Sequence, residues 1–424
     1  MDDFIAVLDF GSQYSHLIAK RVRHLGSYTR IFAPSVSKKL LSNAKGIILS
    51  GGPASVNSID IPNFNSEILE MDLPLLGLCY GHQLIAKEFG GKISDTVTGE
   101  FGKAVLSCTA KSKLWENVIF PNEVWMSHRD SVIECPPEFL VTGTTESGSI
   151  AAMTHLHRPI YTLQFHPEVT DSVQGMVILE NFVNSCDLKS IWSMENLIEN
   201  TIIRLRKEVG EHKVLMFVSG GVDSSVAFAL LNKALGKDKI LGLYIDNGFM
   251  RKNESRLILD LYKNLGYNNV ESRDYSSFFL KAVSNQIEPQ NKRKKIGSTF
   301  IKMRKKFLKE LNMKETEWML GQGTLYPDII ESGGSEYAEV IKSHHNRVSE
   351  VLDLIRKGKV VEPLKNLYKD EVRKVGVLLG LPDSIIWRQP FPGPGLSINV
   401  LCSKDDEDFS DLNKTELEVS ECLK

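Results

Sequence analysis

Chemistry in this sequence begins at a cysteine. Gly77-Leu78-Cys79-Tyr80-Gly81 ends an apolar run and opens a helical pattern. A Gly-x-nucleophile-x-Gly turn puts its central residue on a sharp strand-to-helix corner and exposes it. The helix N-terminus beside it favours a thiolate. A cysteine in an apolar strand is otherwise an inert core residue, so Cys79 needs partners. Gln164-Phe165-His166-Pro167-Glu168 supplies them. His166 can take the thiol proton and Glu168 can orient the imidazole. Ser50-Gly51-Gly52-Pro53 follows the apolar Ile47–Leu49. It is either a plain turn or a set of backbone N–H groups aimed at a developing oxyanion. With Cys79 and His166 in the chain the oxyanion role is favoured, aided by the N–H of Tyr80.

A second constellation suits phosphate. Val218-Ser219-Gly220-Gly221-Val222-Asp223-Ser224-Ser225 lies between a strand pattern and a helix pattern. Its glycines let backbone N–H groups approach phosphate oxygens, and the helix N-terminus adds partial positive charge. The serines can donate hydroxyl bonds, and Asp223 is a candidate ligand for Mg²⁺. The segment lacks the Gly-Lys-Ser/Thr end of a Walker A loop, which disfavours kinase and γ-phosphate hydrolysis chemistry. Asp246-Asn247-Gly248, a turn by default, follows the next strand and is expected at the same carboxyl edge of the sheet.

These residues must be held by layered α/β units. Phe4–Leu8, Gly46–Leu49 and Leu73–Leu78 read as buried strands, and Ser12–Leu25, Phe64–Met71 and His82–Phe89 as helices. Short β runs follow at Ala104–Cys108, Val124–Met126, Phe139–Thr142 and Ile160–Phe165, then a helix at Ser172–Asn184. Past Cys186–Ser190 the alternation restarts with a helix at Met194–Val209, a strand at Lys213–Val218 and a helix at Val222–Leu235. Ile240–Ile245 and Glu254–Leu265 continue it as strand and helix. The expected architecture is therefore α/β in two domains, each with a mainly parallel sheet flanked by helices. They are placed at 1–188 and 189–402, with an acidic tail at 403–424. Residues 292–309 carry nine Lys/Arg and no acid. They form either a solvated helix face or a positive wall beside an anionic substrate.

Composition narrows the classes. The 424 residues carry 51 basic and 53 acidic side chains, a formal charge of −2, which argues against a coat for nucleic acid or anionic membrane. No run approaches the ~18 apolar residues of a membrane span, and the acidic start is unlike a signal peptide. Six cysteines without a Cys-x-x-Cys pair suggest reduced thiols in a cytoplasmic protein.

The first constellation resembles the class I (triad-type) glutamine amidotransferases, and more narrowly those of the GMP synthase family. The resemblance is carried by Leu8–Tyr14, Ile48–Pro53, Gly77–Gln83, Val124–His128 and Gln164–Glu168. It implies that Cys79 attacks the side-chain amide of glutamine, that Gln83 positions the substrate, and that a glutamyl thioester releases ammonia and then glutamate. The second constellation resembles the ATP pyrophosphatase loop, which adenylates a substrate oxygen. Gly321–Asp328, Ile341–Asn346, Glu362–Leu364, Lys369–Arg373 and Arg388–Leu396 extend the likeness to the synthetase domain of the same family. The likeness implies ATP with Mg²⁺, and XMP as acceptor. It implies an acceptor and adenylate set of Lys342, Asp328, Arg388, Pro392, Gly393 and Gly395. In it Lys342 stabilises phosphate charge, and the loop of 390–396 lines the nucleotide pocket.

One departure lies in the amidotransferase part, where Arg129 stands after Ser127-His128 in place of the family's glycine. Three others fall on the acceptor side: Ser298 stands where the family has arginine, Gln389 where it has histidine, and Arg347-Val348-Ser349-Glu350-Val351 replaces a glycine-bearing loop. The family's C-terminal dimerisation domain is expected to be absent, which leaves the oligomeric state open. Two further readings remain. One is the same chemistry on another purine-like or carbonyl acceptor; the other is a non-catalytic binding or regulatory homologue.

Overall fold

The computed structural model describes residues 3–58, 61–94, 99–188, 192–329, 349–389 and 395–398. Their contacts fall into two compact units that part between Leu197 and Ile198.

In the first unit, aliphatic runs form β1 (Phe4–Leu8), β2 (Thr29–Phe32), β3 (Ala44–Leu49) and β4 (Leu75–Leu78), with α1 (Ser15–His24) after β1 and α2 (Tyr80–Glu88) after β4. Next come β5 (Lys92–Ser94), β6 (Glu100–Cys108), β7 (Asn122–His128), β8 (Ser131–Glu134), β9 (Phe139–Thr145), β10 (Ile150–His155), β11 (Ile160–Leu163) and α3 (Gly175–Asn184). The nine-stranded sheet runs β2-β1-β3-β4-β11-β10-β9-β6-β7. Pairing is parallel from β2 through β11 and antiparallel from β11 to β7. Crossover connections join the parallel strands, through α1 between β1 and β2, whereas a short turn joins antiparallel β10 and β11. Leu49 pairs with Gly77, and Leu78 with Leu163. This register brings the residues after β3, β4 and β11 to one sheet edge. Phe4, Leu8, Phe10, Leu49, Tyr80 and Ile85 belong to the core beneath them.

The helix expected at Phe64–Met71 is corrected to a 3₁₀ segment, Ser66–Glu70. Asn65 accepts from the N–H of Glu67 at its start, and Met71 is already extended (φ −66°, ψ 135°). Only Ile68 and Leu69 are buried there, too little to sustain a longer helix. Beyond α3, Trp192 stacks on Tyr28 at 4.5 Å, and the Arg23 guanidinium lies 5.2 and 5.4 Å from the two rings. The Trp192 N–H donates to Gly26 O at 2.7 Å, so this segment is anchored to the α1–β2 turn.

The second series contains α4 (Met194–Val209), β12 (Lys213–Phe217), α5 (Val222–Leu235), β13 (Ile240–Asp246), α6 (Glu254–Asn264), β14 (Val270–Asp274), α7 (Ser276–Val283) and α8 (Pro289–Glu310). It continues through β15 (Trp318–Gly321), α9 (Tyr326–Ile329), α10 (Ser349–Arg356), β16 (Val360–Val361), α11 (Lys369–Leu378) and α12 (Asp383–Ile386). Its sheet, β14-β13-β12-β15-β16, is wholly parallel, so the loops after β12, β13 and β15 share one edge. The basic stretch of 292–309 lies in α8, and neither reading of it covers every cation. Arg304 is fully buried and donates to Glu315 Oε1 at 3.0 Å and Trp318 O at 2.8 Å. Buried Lys292 donates to Ser397 O at 3.1 Å. These two fasten the helix to the domain. Among the described residues no helix is long and apolar enough to cross a membrane.

Candidate active sites

The corner between β4 and α2 is built from close contacts. A Cβ on Gly77 would lie 2.6 Å from Gly81 O, and one on Gly81 would lie 2.6 Å from Leu49 O. Only glycine lets β3, β4 and α2 approach so closely. Cys79 between them has φ +51° and ψ −100°, a strained conformation for an L-residue. The elbow thus holds the thiol in place by backbone geometry. The thiol donates to Ser127 O at 3.5 Å. The N–H of Tyr80 lies in the first turn of α2, where no intrahelical acceptor exists. Ordered burial pushes the Tyr80 phenol up to about 12, with the Glu88 charge adding to it.

The segment after β11 sets His166 beside the thiol. His166 N–H donates to Trp125 O at 3.0 Å, and Ser172 Oγ donates to His166 O at 2.6 Å. His166 Nδ1 meets Glu168 Oε1 at 2.7 Å, and Tyr14 packs edge-on to the imidazole at 5.0 Å. Glu168 is buried, and its backbone O accepts from Arg21 Nε at 3.0 Å. A Cβ on Gly51 would stand 3.1 Å from His166 Cε1 and 3.6 Å from Cys79 Cβ. The loop after β3 therefore faces the cysteine and histidine together. Burial alone lowers the His166 pKa; the Glu168 charge and hydrogen bonds with Cys79 and Glu168 more than offset it, raising it to about 10. The imidazole is thereby held as a cation beside Cys79.

That shift has a stability consequence. A histidine raised above its unfolded value stabilises the fold fully below about pH 6.5 and loses that contribution as pH rises through about 10. The urea midpoint of the native chain should therefore exceed that of Glu168→Gln by a margin that narrows across this window. A margin that stays level or widens contradicts the pairing.

A cavity of about 540 Å³ opens over these groups, walled by Gly52, Cys79, Tyr80, Gln83, Ser127 and His166, with Arg129 and Asp130 also lining it. Gln83 is buried, and its Nε2 donates to Asp130 O at 2.7 Å and Gln164 Oε1 at 3.2 Å. It thus ties the elbow helix to the β7–β8 turn. His82 behind it is buried and lowered to about 3, by burial and then by His128, so it is neutral. Ser127, Asp130 and Gln164 brace these groups through backbone or long-range contacts, a task to which motif spacing alone does not point.

In the second series, Val218 N–H donates to Leu243 O at 3.1 Å, which fixes the start of the phosphate-type loop. Gly220 has φ +72°. Ser219 and Ser224 hydroxyls meet at 3.0 Å, and Ser224 Oγ donates to Gly221 O at 3.0 Å. Ser225 is turned inward to Tyr262 OH at 2.9 Å, so it supports the loop from behind. Val222 opens α5, with Gly221 as its N-cap. Asp246 ends β13 and is engaged locally, accepting from Gly248 N–H at 2.9 Å and Ser255 Oγ at 2.6 Å.

Asp223 bears on the expected Mg²⁺. Lys369 Nζ lies 2.6 Å from each of its carboxylate oxygens. Burial pushes the Asp223 carboxyl up; Lys369 counters it, and the Asp328 charge adds to the rise. A lysine ammonium already occupies the cation's position, so the residues as arranged do not fit Mg²⁺ on Asp223, and no step is routed through that ion. Among the described residues no cluster of three or more metal-type side chains occurs. Lys369 is thus a member of this site to which the sequence motif alone assigned no task.

The acceptor set is reached in part. Asp328 Oδ2 accepts from Leu325 N–H at 3.0 Å, at the end of the β15 loop. Arg388 Nη1 donates to Gly220 O at 3.2 Å and its Nη2 pairs with Glu254, which joins it to the phosphate-type loop. Gly395 has φ +64°, and its Cβ position would fall 2.3 Å from Phe249 O. That position lies against the loop after β13. Lys342, Pro392 and Gly393 lie outside the described residues.

The fold and the two clusters define a class: a glutamine amidotransferase unit joined to an ATP-pyrophosphatase-type unit. Residues 6–186 match the family model described as glutamine amidotransferase class-I, and residues 194–343 match that described as NAD synthase. A probable glutamine-hydrolysing GMP synthase of Leptospira interrogans is 43% identical over 402 residues, covering 94% of this chain and 66% of the relative. GMP synthases of Vibrio campbellii and Aliivibrio fischeri are 42% and 41% identical over 405 residues, covering 94% of this chain and 77% of each relative. The chain belongs to the glutamine-hydrolysing GMP synthase family. It spans about two thirds to three quarters of the length of these relatives.

Proposed function

We propose that this chain is a cytoplasmic carbon–nitrogen ligase that converts XMP to GMP with glutamine and ATP, through domains at 1–188 and 189–402. The observation that carries it is the presence, in one chain, of a cysteine–histidine–glutamate cluster in a cavity and a phosphate-type loop at the edge of a parallel sheet. Cys79 Sγ attacks the carboxamide carbon of glutamine while the N–H groups of Gly51, Gly52 and Tyr80 receive the oxyanion. His166, oriented by Glu168, gives its proton to the departing ammonia. The thioester is then hydrolysed to glutamate. Gln83 holds the wall against which the substrate lies.

In the second domain the purine carbonyl oxygen attacks the α-phosphorus of ATP and pyrophosphate leaves. Residues Val218 to Ser225 and Asp246 cradle the nucleotide, with Lys342, Asp328, Arg388, Pro392, Gly393 and Gly395 toward the acceptor. Ammonia adds to the activated carbon and displaces AMP. Generating it within the enzyme matters because free ammonia is mostly protonated at neutral pH.

One contact favours a second reading, the same chemistry on another purine-like acceptor. Ser298, where the family resemblance implies arginine, donates to Glu350 Oε1 at 2.6 Å. Pyrophosphate release by the full chain, with XMP against other purine nucleotides and bases, separates the two. XMP is expected to give the fastest release by at least ~10-fold; equal or greater release with another acceptor establishes the second reading.

A further inference from the structure

Arg129 is charged, exposed and unused by the chemistry above. It follows β7 and lines the cavity that holds Cys79. Its backbone is fixed from three sides. His128 Nδ1 meets Asp130 O at 2.9 Å, and His128 Nε2 meets Glu100 Oε2 at 3.2 Å. Gln83 bonds the same Asp130 carbonyl at 2.7 Å. A Cβ on Gly99 would fall 2.8 Å from Arg129 Cα, so the neighbouring strand presses directly on it. Among the described residues its guanidinium makes no ion pair.

Its position relative to the nucleophile is defined. Cys79 Sγ reaches Ser127 O at 3.5 Å, and Arg129 stands two residues beyond, at most ~7 Å along the backbone. A glutamine whose carboxamide carbon is at Cys79 lies in the cavity that this wall lines. The wall carries one guanidinium and, on the next residue, one carboxylate, matching the two charges of a zwitterion. Guanidinium pairs with carboxylate through two parallel N–H bonds.

We infer that Arg129 is a specificity-determining residue that binds the α-carboxylate of glutamine and discriminates against amides lacking it. This rests on the glutaminase reading of the cavity and deepens it. Cys79 alkylation, followed by mass spectrometry on the full chain, tests it without turnover. The two reagents are the diazoketone analogue of glutamine, which carries the α-carboxylate, and iodoacetamide, which does not. Arg129→Gly should slow the diazoketone reaction about tenfold, equivalent to ~1.4 kcal/mol, and Arg129→Lys should recover part of the loss. Iodoacetamide should react with all three chains at rates within about twofold, which also reports an intact elbow. Arg129→Gly reacting with the diazoketone as fast as the native chain, or both reagents slowing together, overturns the inference. Diazoketone labelling of the native chain at a residue other than Cys79 overturns the glutaminase reading, and this inference with it.

Discussion

Cys79→Ala should abolish glutamine-driven amination, by ~10⁴-fold or more, while amination driven by added ammonia continues. Loss of a covalent nucleophile removes the step itself, and partner groups cannot replace it. Cys79 sits at φ +51° on a corner where two glycines admit no side chain, so no neighbouring residue can move into its place. Alanine relieves nothing and adds no bulk, so the fold should persist. The ammonia-driven reaction is the control that matters, because it needs the second unit alone. Amination per minute from glutamine and from ammonium salt, compared in one preparation, reads both. If glutamine still supports turnover in Cys79→Ala, the nucleophile is misassigned. If ammonia-driven turnover also disappears, the two sites are not chemically separable.

Gly220→Ala should show the reverse pattern, with adenylation failing and glutamine hydrolysis unaffected. Gly220 holds φ +72°, and a Cβ there would lie 2.7 Å from Ile258 Cγ1 and 2.8 Å from Arg388 Nη1. Ile258 is fully buried and cannot yield; Arg388 is held by Glu254. The left-handed conformation costs alanine ~1–2 kcal/mol before any clash. The loop must then shift, and its N–H groups lose their aim at phosphate. ATP-dependent pyrophosphate release should fall ~10²-fold, about what misplacement by an ångström costs. Glutamate release should stay within about twofold of native. Native pyrophosphate release in this variant would show that the loop does not hold the nucleotide.

Local chemistry was the legible part of this protein. The elbow around Cys79 and the loop of 218–225 declare themselves because glycine is required within a few residues of the reacting group. Met194–Val209 and Val222–Leu235 form as helices with the ends their patterns imply, since amphipathic spacing and a following glycine are local signals. Strand β10, Ile150–His155, carries two alanines and no β alternation, and only its pairing with β9 and β11 makes it a strand. The segment at 64–71 has helical composition but buries too few side chains. Long-range contacts were silent for the same reason. Lys369 and Asp223 are 146 residues apart, and nothing near either announces the other. Arg304 reads as one more surface cation, until the turn at Glu315 and the start of β15 close over it.

The most direct measurement follows the amide nitrogen. The full chain, given glutamine labelled with ¹⁵N in its amide, ATP and XMP in the presence of unlabelled ammonium at low concentration, should produce GMP carrying the label. AMP, pyrophosphate and glutamate should appear in equal amounts with it. GMP without ¹⁵N, or glutamate and pyrophosphate released with no aminated XMP, would contradict the account.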